Sequence, residues 1–188
     1  MTERIGLFFG SFNPVHMGHL AIAKAFKSQA NLDTLWWVPS PQNPHKPISA
    51  LAPFEHRKKM LELAIPDESD HICTIEQHLP TPSYTIHTLE MLDVKFPEKE
   101  WVLLLGEDSW NNLPTWKQGD HIEKTYSIFV YPRQGVQTIR KGKMTLISGS
   151  FHSISSSEIR HCIRSKSTSN HGVLPEVAEY ITAHQLYT

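Results

Sequence analysis

Apolar residues in this chain arrive in two alternating rhythms. Short apolar runs bounded by turn-forming residues fall at 5–9, 35–38, 71–75, 101–105, 127–131 and 144–147, the signature of strands. Between or after them apolar positions recur at three- and four-residue spacing: Leu20, Ala23 and Phe26, then Met60, Leu61 and Ala64, then Ile86, Leu89 and Leu92. Each trio predicts a helix with one buried face. Pro175 suits the first turn of a last helix, with Val177, Ala178 and Ile181 as its apolar face. Alternating strands and helices predict an α/β fold, a doubly wound parallel sheet with helices on both faces. The unbroken run Val102, Leu103, Leu104, Leu105 is what a central strand of such a sheet requires. Ligands of these sheets bind beyond the carboxyl ends of the strands, so chemistry is expected in the loops that follow them.

Composition narrows the class more than the function. At 188 residues the chain is expected to form a single domain over residues 1–188. With 39% hydrophobic residues, 20% charged residues and a formal net charge of −1, it resembles ordinary soluble globular proteins, with no bias toward nucleic acid or a membrane surface. The longest apolar stretch, "WVLLLG", is far short of a bilayer span, and no basic segment leads into an apolar core and cleavage site at the N-terminus. A cytoplasmic address is expected. Cys73 and Cys162 lie far apart with no Cys-x-x-Cys pair and are read as reduced. Oligomeric state leaves no trace in the pattern, so a homo-oligomer stays open. Most of the 12 histidines (His45, His56, His71, His78, His121 and His171 among them) stand in polar stretches and read as surface residues.

Two histidines stand elsewhere. In "GSFNPVHMGH", which follows the first predicted strand, Gly10 permits a turn with no Cβ in the way, and Ser11 and Asn13 supply local hydrogen-bonding oxygens. His16 falls just before or at the start of the next helix and His19 in its first turn, so both rings can face the positive end of the helix dipole. An anion is the natural occupant. Gly18 removes a side chain where a ligand would approach. A surface or capping role for the pair is the plainer account. Zinc would need further ligands, and none follows at a recognisable spacing. Gly-x-x-x-x-Gly-Lys-Ser/Thr and Gly-x-Gly-x-x-Gly are both absent, so neither common phosphate loop is present.

A second helix start lies late in the chain. In "FHSISSSEIRHCIR", Ser155 and Glu158 form a capping box, which begins a helix at Ser156. Arg160 sits one turn in, within reach of the same opening. A well-capped helix with no further role is the simpler reading. Two anion cradles in one chain, however, suit a polyphosphate.

"GSFNPVHMGH" together with "ISSSEIR" resembles the nucleotidyltransferase superfamily, which pairs a His-x-Gly-His turn with an Ile-Ser-Ser-Ser/Thr-x-x-Arg helix start. Within it, "PQNPHKP", "RKKMLELAI", "PSYTIHTL", "LLGEDSWNNLPTW" and "LPEVAEYITAHQLY" are similar to the bacterial nicotinate-nucleotide adenylyltransferases, and these stretches span nearly the whole chain. The resemblance implies a Rossmann-like sheet and transfer of the AMP moiety of ATP to nicotinate mononucleotide, with pyrophosphate leaving. It implies that His16, His19 and Arg160 are catalytic, and that Gly10, Ser11, Phe12, Gly18, Gly106, Asp108, Ile154, Ser155 and Ser156 contact ATP. Tyr84, Thr85 and Trp116 would line the pyridine mononucleotide pocket, with Lys46 at its phosphate. Phe9 stands where the family often has glycine, which would narrow the turn, and Asn13 stands where aspartate is usual, which would remove a charge near the triphosphate.

Joining two phosphates is mainly an electrostatic and positional problem, because the attacking oxygen is already ionised. His16 and His19 suit donors to the α- and β-phosphates, and the guanidinium fork of Arg160 suits the outer phosphates. Mg²⁺ entering with ATP, bound through phosphates and water, would complete the neutralisation, so no protein metal ligand is expected. Asp108 as a helix cap and Trp116 as a core residue are the competing accounts. Other acceptors (nicotinamide mononucleotide, phosphopantetheine, or glycerol phosphate in a cytidylyl transfer) and a non-catalytic nucleotide sensor are the rival functions.

Overall fold

The computed structural model describes residues 2–42, 51–65, 69–133, 135–149, 154–165 and 172–188. Six strands, β1 (Glu3–Gly10), β2 (Thr34–Pro39), β3 (His71–Ile72), β4 (Lys99–Gly106), β5 (Ser127–Tyr131) and β6 (Thr145–Leu146), form one sheet in the order β3-β2-β1-β4-β5-β6. Every neighbouring pair is parallel. Seven α-helices accompany them among the described residues: α1 (Met17–Ala30), α2 (Phe54–Ala64), α3 (Thr85–Lys95), α4 (Glu107–Asn112), α5 (Gly119–Thr125), α6 (Ser156–Arg164) and α7 (Pro175–Ala183). Strand order runs outward in both directions from the β1–β4 pair, the arrangement that leaves a crevice beyond their carboxyl ends.

Side chains alternate across the pleat, so the sheet builds two cores. Phe8, Leu35, Trp37, Val102, Leu104 and Phe129 pack with Phe26 of α1, Met60 and Leu61 of α2, and Val177 and Ile181 of α7. Their neighbours Ile5, Leu7, Val38, Leu103, Leu105 and Val130 pack on the opposite face with Ile86, Leu89 and Leu92 of α3, Trp110 of α4 and Ile122 of α5. Helices on both faces explain why β4 is apolar at every inner position.

The edges depart from the sequence reading. Of 71–75 only His71–Ile72 pairs, and the chain turns at once into a 3₁₀ helix, Ile75–His78. Of 144–147 only Thr145–Leu146 pairs. Each is held from one side only, where ladder bonds stop short. Four of the histidines assigned to polar stretches lie within elements: His71 in β3, His78 in the 3₁₀ helix, His121 in α5, and His56 in α2, its Nδ1 2.9 Å from the Tyr180 hydroxyl.

Candidate active site

The turn after β1 is built to carry two imidazoles. Its left-handed residue is Phe12 (φ 44°) rather than Gly10. Gly10 instead leaves room for the Phe12 ring, since a Cβ there would lie 2.7 Å from it. His16 is the N-cap of α1 in extended geometry, and His19 is the third residue of that helix. The His16 amide donates to Nδ1 of His19 at 3.3 Å, and the two ring centroids lie 3.8 Å apart. Gly18 completes the arrangement, because a Cβ there would come within 3.0 Å of the His16 ring. What its missing side chain accommodates is that imidazole.

The late helix start closes on this turn from across the chain. Ser156, the first residue of α6, donates its hydroxyl to the Pro14 carbonyl at 3.0 Å, and Nη1 of Arg160 donates to the Asn13 carbonyl at 2.8 Å. Ser155 caps α6 as expected: its Oγ accepts from the Glu158 amide at 3.2 Å, and its own amide donates to the Glu158 carboxylate at 2.9 Å. The Ile154 carbonyl lies 3.6 Å from the position of a Gly18 Cβ. The amino ends of α1 and α6 therefore share one opening, and their dipoles both favour negative charge there.

Protonation follows from burial. Desolvation, aided by the nearby Arg133 cation, pulls His16 down from 6.5 to about 4, with Glu158 opposing. At neutral pH this ring is uncharged. The His16 side chain faces the His19 amide, and the His19 side chain faces the His16 amide, as the two halves of a capping box at the start of α1. Because Nδ1 of His19 accepts a backbone proton, neutral His19 carries its own on Nε2.

Gly106 ends β4 and is the N-cap of α4, and Asp108 is the second residue of that helix. A Cβ on Gly106 would lie 2.6 Å from Oδ1 of Asp108. Asp108 pairs through Oδ2 with Arg133 at 3.1 Å, a residue that sequence reasoning missed. Buried Glu107 fixes Arg133 in turn, accepting from its amide at 2.7 Å and from the Thr138 hydroxyl at 2.6 Å. Arg57 was also missed as an organiser of the site. Fully buried, it donates to the carbonyls of Ser11 (2.8 Å), Ser40 (2.7 Å), Pro41 (3.2 Å) and Ala52 (2.9 Å), tying the exits of β1 and β2 to the start of α2. A signal was available: Arg57 stands three, four and seven residues before Met60, Leu61 and Ala64, on the apolar face of α2.

Tyr84 is the N-cap of α3 and Thr85 its first residue. The Ser83 amide donates to the Gln42 carbonyl at 2.9 Å, and the Ser40 amide to the Gly10 carbonyl at 2.9 Å, which links this turn to the exits of β2 and β1. Trp116 follows the 3₁₀ helix Leu113–Thr115, and with Tyr84 and Phe9 it is partly buried against the core beneath α3 to α5. Asn13 uses its side-chain oxygen internally, accepting from the Ala52 amide (3.0 Å) and the Tyr187 hydroxyl (2.8 Å). Lys46 lies outside the described residues.

Comparison with known proteins identifies the family and the fold. The family model described as cytidylyltransferase-like matches residues 7–162. A Bacteroides thetaiotaomicron protein named "Probable nicotinate-nucleotide adenylyltransferase" is 38% identical over 95% of this chain and 90% of its own. A Cytophaga hutchinsonii protein of the same name is 36% identical over 98% of each chain. The solved Plasmodium falciparum nicotinic acid mononucleotide adenylyltransferase complexed with NaAD superposes with a TM-score of 0.81 at 19% identity, covering 98% of this chain and 97% of that one, a likeness of fold. The chain thus belongs to the cytidylyltransferase-like family, and within it to the nicotinate-nucleotide adenylyltransferases.

Proposed function

We propose that this protein joins the AMP moiety of ATP to nicotinate mononucleotide, giving deamido-NAD and pyrophosphate, a step of NAD biosynthesis. The observation that carries the reading is the meeting of two helix starts, with Ser156 and Arg160 bonded to the carbonyls of Pro14 and Asn13 within the histidine turn. One triphosphate laid across them would be met by the amide ends of α1 and α6 at once. His16 and His19 donate to the α- and β-phosphates, and Arg160 to the outer ones, as charge moves toward the leaving pyrophosphate. His16 does so as a neutral N–H donor, because burial keeps a proton off it. Asp108, held by Arg133, accepts from the ribose hydroxyls of ATP. Tyr84, Thr85 and Trp116 receive the pyridine ring, which a flat indole suits, and Lys46 receives the acceptor's phosphate. The relatives' shared name and the neighbour's NaAD favour this acceptor over the others.

Among the described residues no three His, Cys, Asp or Glu side chains converge on a metal position. Mg²⁺ would enter with ATP, held through phosphate oxygens and water. When bound, the ion would neutralise phosphate charge. No described helix is long and apolar enough to cross a membrane. We assign the enzyme to the cytoplasm, on the two free cysteines, Cys73 and Cys162.

The test is pyrophosphate release from ATP with nicotinate or nicotinamide mononucleotide, each supplied in turn. Release with nicotinate mononucleotide is expected, and His19→Ala should lower kcat by about two to four orders of magnitude through lost transition-state stabilisation. ATP binding without release from either acceptor would favour a sensor.

A further inference from the structure

Beside the aromatic residues of the acceptor pocket lies a cation that the mechanism above does not use. Lys117 directly follows Trp116, and its ammonium sits 5.4 Å from the centroid of the Tyr84 ring. Its one polar contact among the described residues is Nε2 of His87, at 2.9 Å, and it forms no ion pair among them. An ammonium can only donate, so His87 accepts through Nε2 and is neutral, with its proton on Nδ1. The Tyr84 ring meets the His87 ring edge-on at 5.6 Å, which fixes both partners of the lysine on the first turns of α3. A positive charge is thus set at the aromatic wall with no carboxylate among the described residues paired to it.

We infer that Lys117 is a specificity-determining residue: its ammonium, placed against Tyr84 beside Trp116, selects a pyridine mononucleotide bearing a carboxylate over one bearing an amide. The two acceptors have nearly the same shape and differ in a full negative charge, so a hydrophobic slot alone discriminates poorly between them. An ammonium already in contact with an aromatic face and a neutral imidazole adds attraction for the charged ring substituent and little for the amide. This inference rests on the acceptor pocket proposed above. Because Lys117 is exposed, replacing it should leave the fold intact.

The experiment measures equilibrium binding of each mononucleotide by calorimetry, and kcat/KM for each from pyrophosphate release, for the wild type, Lys117→Gln, Lys117→Glu and Lys117→Arg. The ratio favouring the nicotinate form is expected to fall about three- to tenfold in Lys117→Gln, further in Lys117→Glu, and to be largely kept in Lys117→Arg. Affinity for the nicotinamide form should stay within about twofold throughout. Raising the salt from about 0.05 to 0.5 M should erode the wild-type ratio, since screening weakens an exposed charge pair, and leave that of Lys117→Gln unchanged. Equal loss for both acceptors, or an unchanged ratio in Lys117→Gln, would overturn the inference. Wild-type binding of both mononucleotides without turnover would instead sink the enzyme reading, while the binding ratio still decides the role of Lys117. Failure to bind either would sink both.

Discussion

His16 joins folding to the proposed chemistry. In an unfolded chain its imidazole titrates near 6.5, whereas in the protein it titrates near 4, because the charged form is cut off from water and faces Arg133. Between those pH values the unfolded chain binds the extra proton, so stability falls as pH drops through this window. His16→Gln removes the titration and leaves the other groups in place. Urea unfolding should therefore show the wild type losing about 2 kcal/mol more than His16→Gln between pH 7.5 and 4.5. Parallel losses would mean that the ring is not held neutral. The histidines were legible because glycine, asparagine and proline around them announce a turn. Arg57 left only a faint signal, its place on the apolar face of α2, which says that the guanidinium is buried but not that it bonds to the carbonyls of Ser11 and Ser40. Glu107 and Arg133 were hidden because the bond between them joins residues 26 positions apart.

At the scale of elements, the late helix was readable from its cap alone. Ser155 and Glu158 satisfy each other's backbone amides, and α6 begins at Ser156 as their spacing predicts. Ser155→Ala leaves the Glu158 amide without its acceptor and should cost about 1 kcal/mol in urea unfolding. Because Ser156 and Arg160 ride on that first turn, the same variant should also weaken ATP binding. Unchanged stability and affinity would show that the turn is held by other contacts. α4 and α5 escaped notice because six and seven residues are too few to display a helical period. β3 and β6 were read too long because an apolar run specifies an extended chain without specifying how far a neighbour reaches along it.

For the whole molecule, the decisive property is topological. Reversal of strand order between β1 and β4 puts the histidine turn and the Gly106–Asp108 turn side by side beyond the sheet, and the chain then travels through β5 and β6 before α6 returns to the same place. Sequence periodicity established the layers, with apolar faces on both sides of β4. It carried no direct record of a contact between Pro14 and Ser156, 142 residues apart, which came into view only through two motifs that each suit an anion. The most direct test of the account is a crystal structure with a non-hydrolysable ATP analogue and Mg²⁺. One triphosphate should span the amino ends of α1 and α6, with oxygens within about 3 Å of His16 or His19 on one side and of Ser156 or Arg160 on the other. A triphosphate seated on only one of the two helix starts, or elsewhere on the molecule, would contradict it.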